Sequence, residues 1–267
     1  MTAPSGQYSE FTSTDQHRFR AFFARPSQPP RAALVLLHEM DARSGARVHS
    51  TLGRPMPGLS QRIRGLVNEY ASRGYLVIAP SLFGRGKAGQ DHGYKYQMTA
   101  FGEQLMQPLQ SVDTSRAMLD VQRVVSWAQG QVPQGKVGIM GFCWGGLLAW
   151  RAACSLPQIF AATAFYGGGM TDAAELSRKP LCPVLAHFPT LGTWMAPASL
   201  DEFQAAQGQH LQTQELKNTS PFKSMVQIER YEAAYGFDQA GTKQHHAVAS
   251  ESAHQKTRDF FAQNLHF

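Results

Sequence analysis

Apolar residues fall in short unbroken runs that alternate with stretches of helical spacing. The runs are residues 33–38 (ALVLLH), 75–79 (YLVIA), 137–140 (VGIM), 161–166 (AATAFY) and 184–188 (VLAHF). Runs of this length without polar alternation are expected of strands buried on both faces, as in a parallel sheet. Between them, residues 59–72, 114–128, 145–153 and 198–206 place apolar side chains three or four apart, which predicts helices packed on that sheet. Residues 8–12 and 17–24 alternate around a Ser-Thr-Asp-Gln turn and predict an antiparallel hairpin. Residues 225–231 predict a closing strand, and residues 249–264 a C-terminal amphipathic helix. The fold class is α/β, with a mostly parallel central sheet covered by helices on both faces, and residues 1–267 read as one domain.

Two segments resist assignment. Residues 46–57 are rich in Gly, Pro and basic side chains, and residues 84–112 form a second long irregular stretch. Both follow predicted strands, at the end of an α/β sheet where ligands bind, so both are expected to shape a pocket.

Composition narrows the function classes. Only 16% of the residues are charged against 43% hydrophobic, which excludes global disorder. The net charge of +6 is spread along the chain without a clustered Lys/Arg stripe, so no nucleic-acid partner is expected. It is weakly consistent with an anionic small-molecule substrate. Three cysteines are too few, and odd in number, for a disulfide framework, which suits a reducing compartment. The opening MTAPSGQYSEFTSTDQ has no basic and apolar leader pattern, and no run nears the ~18 apolar residues of a membrane span, so a cytoplasmic location is expected. No His/Cys cluster with ligand spacing and no phosphate loop is present, so neither a metal nor another cofactor is expected.

The sharpest chemical signal is Gly141-Phe142-Cys143-Trp144-Gly145-Gly146, which follows a strand and opens a helix. G-x-C-x-G is the pattern of a nucleophile elbow with cysteine in the place of serine. The turn is tight and needs small residues on both sides of a strained central residue, here Cys143. A thiol at a helix N-terminus also meets the positive end of the helix dipole, which favours the thiolate. Cys154 and Cys182 have no such context and read as core residues.

Together with LLHE ending at Glu39 and APSLFGR ending at Arg85, the elbow resembles the dienelactone hydrolase family of the α/β-hydrolase fold. The similarity continues through LAHF at 185–188, YEAAYGF at 231–237 and TRDFF at 257–261, and so spans nearly the whole chain. The resemblance implies a hydrolase of lactones or activated carboxylic esters, working as a monomer on a small molecule. It implies Cys143 as nucleophile, Glu39 as the carboxylate that contacts the thiol, and Arg85 as a ligand for an anionic substrate group. By the same resemblance the backbone N–H groups of Met40 and Trp144 form the oxyanion hole.

The departures are at the other two triad positions. The family pattern HFG-x-x-D reads His187-Phe188-Pro189-Thr190-Leu191-Gly192 here, with Gly192 where the aspartate is expected. The pattern Y-x-x-A-x-H-G-F is one residue shorter, and matching its closing Gly-Phe to Gly236-Phe237 puts Tyr235 at the histidine position. Matching from Tyr231 puts Gly236 there instead, and neither alignment supplies a histidine. Other residues offer no motif position. His245 and His246 approach the last helix, His187 reads as a core histidine, and His38 points away from the side of Glu39. Asp172 and Asp201 read as helix-start residues.

Cys143 can attack a reactive acyl carbon without histidine. Release of the thioester is harder, because loss of a general base typically costs ~10²–10⁴-fold. Tyr235 is a poor base and an adequate hydrogen-bond donor. Three readings follow: a hydrolase of activated esters or lactones using Cys143, Glu39 and the oxyanion hole; a divergent enzyme using the pocket for non-hydrolytic chemistry with Glu39 and Tyr235 as acid–base groups; and a non-catalytic ligand-binding or thiol-sensing protein. An activated acyl ester separates them, since turnover, a single burst and no reaction are different outcomes.

Overall fold

The computed structural model describes residues 5–39, 59–82, 114–192, 196–213 and 225–265, with two short strands at 47–49 and 55–57. The expected N-terminal hairpin is present. Strands β1 (Gln7–Thr12) and β2 (Arg18–Ala24) pair antiparallel, with Phe11 opposite Phe19. Next come β3 (Ala33–Leu37) and the two-stranded ribbon β4 (Arg47–His49) and β5 (Pro55–Pro57), with Val48 opposite Met56. The rest of the 46–57 segment and all of 84–112 lie outside the described residues.

Helix α1 (Gln61–Ser72) starts where Ser60 Oγ accepts a hydrogen bond from the Ile63 N–H at 3.2 Å, a side-chain N-cap. Its buried face is Ile63, Val67, Tyr70 and Ala71, the three-to-four spacing that the sequence predicts. The chain then alternates through β6 (Leu76–Pro80), α2 (Thr114–Gln129), β7 (Val137–Phe142), α3 (Trp144–Ser155) and β8 (Ile159–Phe165). It continues with the short α4 (Ala173–Leu176), β9 (Val184–Leu191), α5 (Pro197–Thr213), β10 (Val226–Ala234) and α6 (Ala247–Asn264). The eight-stranded sheet has the order β1-β2-β6-β3-β7-β8-β9-β10 and is parallel from β6 onward. Strands β3, β6 and β7 are buried along their whole length, which accounts for their continuous apolar runs. Among the described residues no helix is long and apolar enough to cross a membrane.

Helix α5 runs on to Thr213, past its expected end at 206, and two strand ends also differ from expectation. Strand β9 runs on to Leu191, and β10 runs on to Ala234 through a register shift between Tyr231 and Ala234. Both extensions carry the chain past its apolar run to the rim of the sheet, where side chains no longer need to be apolar. The strand order places β3 between β6 and β7, so the chain reverses direction across the sheet there, and a crevice opens at the carboxyl ends. Leu37 is paired with Gly141, so Glu39 and Cys143 each stand two residues past the same rung. Tyr166 follows β8, Gly192 follows β9 and Tyr235 follows β10. All of these residues leave the sheet at the same edge.

Among the described residues two histidines are buried in this frame. The Nε2 of His38 accepts from the Leu82 N–H at 3.0 Å, which leaves Nδ1 protonated to donate to the Glu39 carbonyl at 2.8 Å. His187 is bonded to the Tyr231 hydroxyl at 3.0 Å and to Thr257 Oγ1 at 2.9 Å, so it is the satisfied core residue the sequence suggested. Burial lowers the His38 pKa to about 4, against the opposing bond to Glu39. Burial, with His254 and Lys256 nearby, lowers that of His187 to about 3. Both rings fold neutral, whereas in the unfolded chain they protonate near pH 6.5. Their contribution is therefore complete above that value and is lost as pH falls toward the folded values. Unfolding free energy should drop by about 1.4 kcal/mol per pH unit for each histidine below about pH 6. Urea titrations across that range check this, and His187→Gln should remove one of the two proton slopes. A stability that stays flat to pH ~4.5 would contradict the account.

Candidate active site

Cys143 has φ 56 and ψ −120, a left-handed backbone that non-glycine residues seldom adopt. Such conformations cost about 1–3 kcal/mol and survive only where the surroundings enforce them. Here they do. The Cys143 N–H donates to the Phe165 carbonyl at 3.0 Å, and its own carbonyl accepts from Gly146, Leu147 and Gly168 at 2.9, 3.2 and 3.1 Å. A Cβ on Gly141 would overlap the Gly145 carbonyl, and one on Gly145 would overlap that of Leu37. The glycines of the motif are thus demanded by backbone contact, and the elbow read from sequence is present. Cys143 is the N-terminal boundary residue of α3, and Trp144 is the first residue inside it, so the helix itself offers no partner to the Trp144 N–H.

Tyr235 stands at the thiol. Its ring is partly exposed, but its hydroxyl is buried beside Cys143. Burial first, and then the neighbouring Cys143, hold the phenol well above its ordinary pKa. Tyr235 is therefore a proton-bearing donor throughout the neutral range. Its ring meets that of Tyr166 edge to face, with centroids 4.8 Å apart at 61°.

Behind these rings lies a cluster that motif reading did not find. The Tyr166 hydroxyl donates to Asp238 Oδ1, while Asp238 Oδ2 accepts from Arg62 Nη2 and lies 3.2 Å from His254 Nε2. Arg62 Nη1 donates to Glu39 Oε2 at 3.1 Å, and the guanidinium lies 4.2 Å above the Phe142 ring. Burial opposes ionisation of Asp238, but Arg62, His254 and Tyr166 outweigh it and hold the carboxyl well below its usual range. Burial likewise opposes the charge of Arg62, and Asp238 and Glu39 together more than offset it. Tyr166 is pushed far up by burial and by Asp238. One guanidinium thus bridges two buried carboxylates, one of them Glu39.

The remaining expected residues are placed as follows. Gly192 is exposed beyond β9 with φ 98, and a Cβ there would meet nothing within 4 Å, so no carboxylate occupies that position and no packing forbids one. Met40 and Arg85 lie outside the described residues. His246 caps α6 by accepting from the Ala249 N–H at 3.2 Å. Asp172 takes the N-cap position of α4 but its side chain makes no capping bond, whereas Asp201 sits inside the first turns of α5 and pairs with Arg230 at 2.7 Å. The helix-start reading of Asp201 is corrected by that pairing. Among the described residues no three His, Cys, Asp or Glu side chains converge to hold a metal ion.

A strained elbow after the fifth strand of this order, under a crevice at the carboxyl edge, defines the α/β-hydrolase class. Residues 19–265 match the dienelactone hydrolase family, and the chain belongs to it. This is a family of hydrolases acting on carboxylic ester and lactone bonds. Among curated relatives, a carboxymethylenebutenolidase of Pseudomonas putida is 24% identical over 257 residues, covering 94% of this chain and 93% of the relative. Solved structures share the fold. A dienelactone hydrolase-like promiscuous phosphotriesterase from metagenomic libraries aligns with a TM-score of 0.67 at 17% identity, over 97% of this chain and 99% of that one. A dienelactone hydrolase from Anabaena variabilis aligns with a TM-score of 0.62 at 14% identity, over 98% and 99%.

Burial pushes the thiols of both Cys154 and Cys182 up to about 12, so neither is thiolate near neutral pH. In the native protein iodoacetamide should therefore alkylate Cys143 first, as read by peptide mass spectrometry. Equal or faster labelling of Cys154 or Cys182 would contradict the elbow's assignment.

Proposed function

We propose that the protein cleaves lactones or activated carboxylic esters with Cys143 as nucleophile, and that Tyr235 occupies the station a histidine holds in a complete triad. The observation that carries this reading is the buried Tyr235 phenol set beside a thiol on a strained elbow. A phenol held protonated stabilises the thiolate by donating to it, which is half of what an imidazolium does. It does not accept the thiol proton. That proton passes to Glu39, the carboxylate shared with Arg62.

Sulfur then attacks the carbonyl carbon. The N–H of Trp144, and by family analogy that of Met40, receive the oxyanion. Collapse of the tetrahedral adduct expels the alkoxide or enolate, which takes up the proton held by Glu39, and leaves a thioester on Cys143 with Glu39 again ionised. An enolate leaving group needs the least protonation, which favours enol-type lactones as substrates. Water must then hydrolyse the thioester with Glu39 as the only carboxylate base we assign, so deacylation is the slow half. Arg85 is assigned to an anionic group of the substrate. The working form is a monomer in the reducing cytoplasm, acting on a small molecule.

With p-nitrophenyl acetate the wild type should give a burst of one product per enzyme followed by slower turnover. Cys143→Ala should abolish the burst. Tyr235→Phe should slow acylation by tenfold to about a hundredfold, the equivalent of ~1.5–3 kcal/mol for a hydrogen bond to a charged group. Stopped-flow absorbance reads both phases. Undiminished hydrolysis by Cys143→Ala would exclude the cysteine mechanism, and no reaction of the wild type with activated esters or enol lactones would point to the non-hydrolytic or sensing alternatives.

A further inference from the structure

Among the described residues three non-glycine positions have a left-handed backbone: Gln16, Cys143 and Tyr166. Gln16 lies in the exposed β1–β2 turn. Tyr166 is fully buried, with φ 39, and a bulky aromatic residue is seldom held in that conformation without a task. Its N–H donates to the His187 carbonyl at 2.7 Å. Its neighbours Phe165 and Gly168 grip the N–H and the carbonyl of Cys143. One short segment therefore holds the nucleophile's peptide and aims a phenol at Asp238.

Asp238 joins the groups that surround the thiol. It lies three residues after Tyr235 in the turn beyond β10, and it takes Tyr166 on one oxygen and Arg62 and His254 on the other. Through Tyr166 it fixes the ring on which Tyr235 leans, and through Arg62 it fixes Glu39. We infer that Asp238 is the positioning carboxylate of this active site, holding the Tyr235 donor and the Glu39 carboxylate in place around Cys143. The task of orienting the residue beside the nucleophile, which the family pattern would assign to position 192, is carried out from the turn after β10 and acts on a phenol. The catalytic part of this inference rests on the proposed hydrolase chemistry, whereas its geometric part concerns the thiol alone.

The described ionisable groups of this cluster are Glu39 after β3, Arg62 on α1, Tyr166 after β8, Tyr235 and Asp238 after β10, and His254 on α6. Asp238→Asn frees the Tyr166 ring on which Tyr235 leans, so the phenol no longer supports the thiolate and the pH midpoint of Cys143 alkylation should rise by about half a unit or more, whereas the bare loss of a nearby negative charge would lower it. Tyr166→Phe keeps that charge but cuts the tie between Asp238 and the ring, and should also move the midpoint upward. If the ester reaction runs as proposed, both variants should lower kcat about tenfold or more while KM changes less than about twofold, the pattern of a lost transition-state contact. Asp120→Asn, which removes a buried carboxylate on α2 bonded to Ser13 beyond β1, four strands from β7 in the sheet order, is the control and should leave the midpoint unchanged. An Asp238 that acts only through its charge would lower its own variant's midpoint, and a merely structural one would move neither. A lowered or unshifted midpoint in folded Asp238→Asn, an unshifted one in folded Tyr166→Phe, or the same shift in Asp120→Asn, would overturn the inference. Should Asp238→Asn fail to fold, Tyr166→Phe, lacking one oxygen, decides by its midpoint. A wild type without ester turnover would remove the hydrolase reading and leave the alkylation midpoints to judge Asp238.

Discussion

The site depends first on a peptide held where it would not rest by itself. Cys143 keeps a left-handed backbone because Phe165 and Gly168 grip it from β8 while the first turn of α3 takes its carbonyl. That grip needs β7 and β8 in register side by side, and it needs bare glycines at 141 and 145 so that backbone can touch backbone. The strain of about 1–3 kcal/mol is sustained by the packing of the sheet. The result is a sulfur displayed at the carboxyl edge, at the positive end of a helix, with little freedom to retreat.

What surrounds the sulfur is unusual in its protonation chemistry. A histidine would shuttle a proton near neutral pH, whereas Tyr235 is held in its protonated form by burial and by the thiol beside it. The compensating charges sit one layer back, where Arg62 bridges Glu39 and Asp238. Removing one member of such a buried group leaves the others uncompensated, which makes the cluster rigid. Rigidity suits the orientation of a donor and a carboxylate. It suits less well the activation of water, which the proposed deacylation requires.

Much of the frame was legible in the pattern of apolar runs, because a strand buried on both faces must be apolar throughout. The elbow was legible because close backbone contact tolerates only glycine. The position of Tyr235 followed from matching Gly236-Phe237, a short local motif. The cluster behind it was not legible, for physical reasons. Arg62 lies on a helix where a basic residue normally meets solvent, and only tertiary packing turns it toward two carboxylates. Tyr166 ends an apolar run and reads as core, since its left-handed φ leaves no trace in composition. Asp238 stands directly after the motif that located Tyr235, yet nothing local marks it as buried. Asp201 failed in the opposite way, because an acidic residue near a helix start resembles a cap until its partner Arg230 arrives from β10.

The central claim is that a thiol on this elbow, supported by a phenol, forms and then slowly releases an acyl group. Quenched-flow mass spectrometry of the protein mixed with an activated acetyl ester tests it most directly. The account requires one acetyl group on the peptide carrying Cys143, appearing in the burst and disappearing as turnover proceeds. Turnover with no acetyl on Cys143, or an acetyl found first on Cys154 or Cys182, would contradict it.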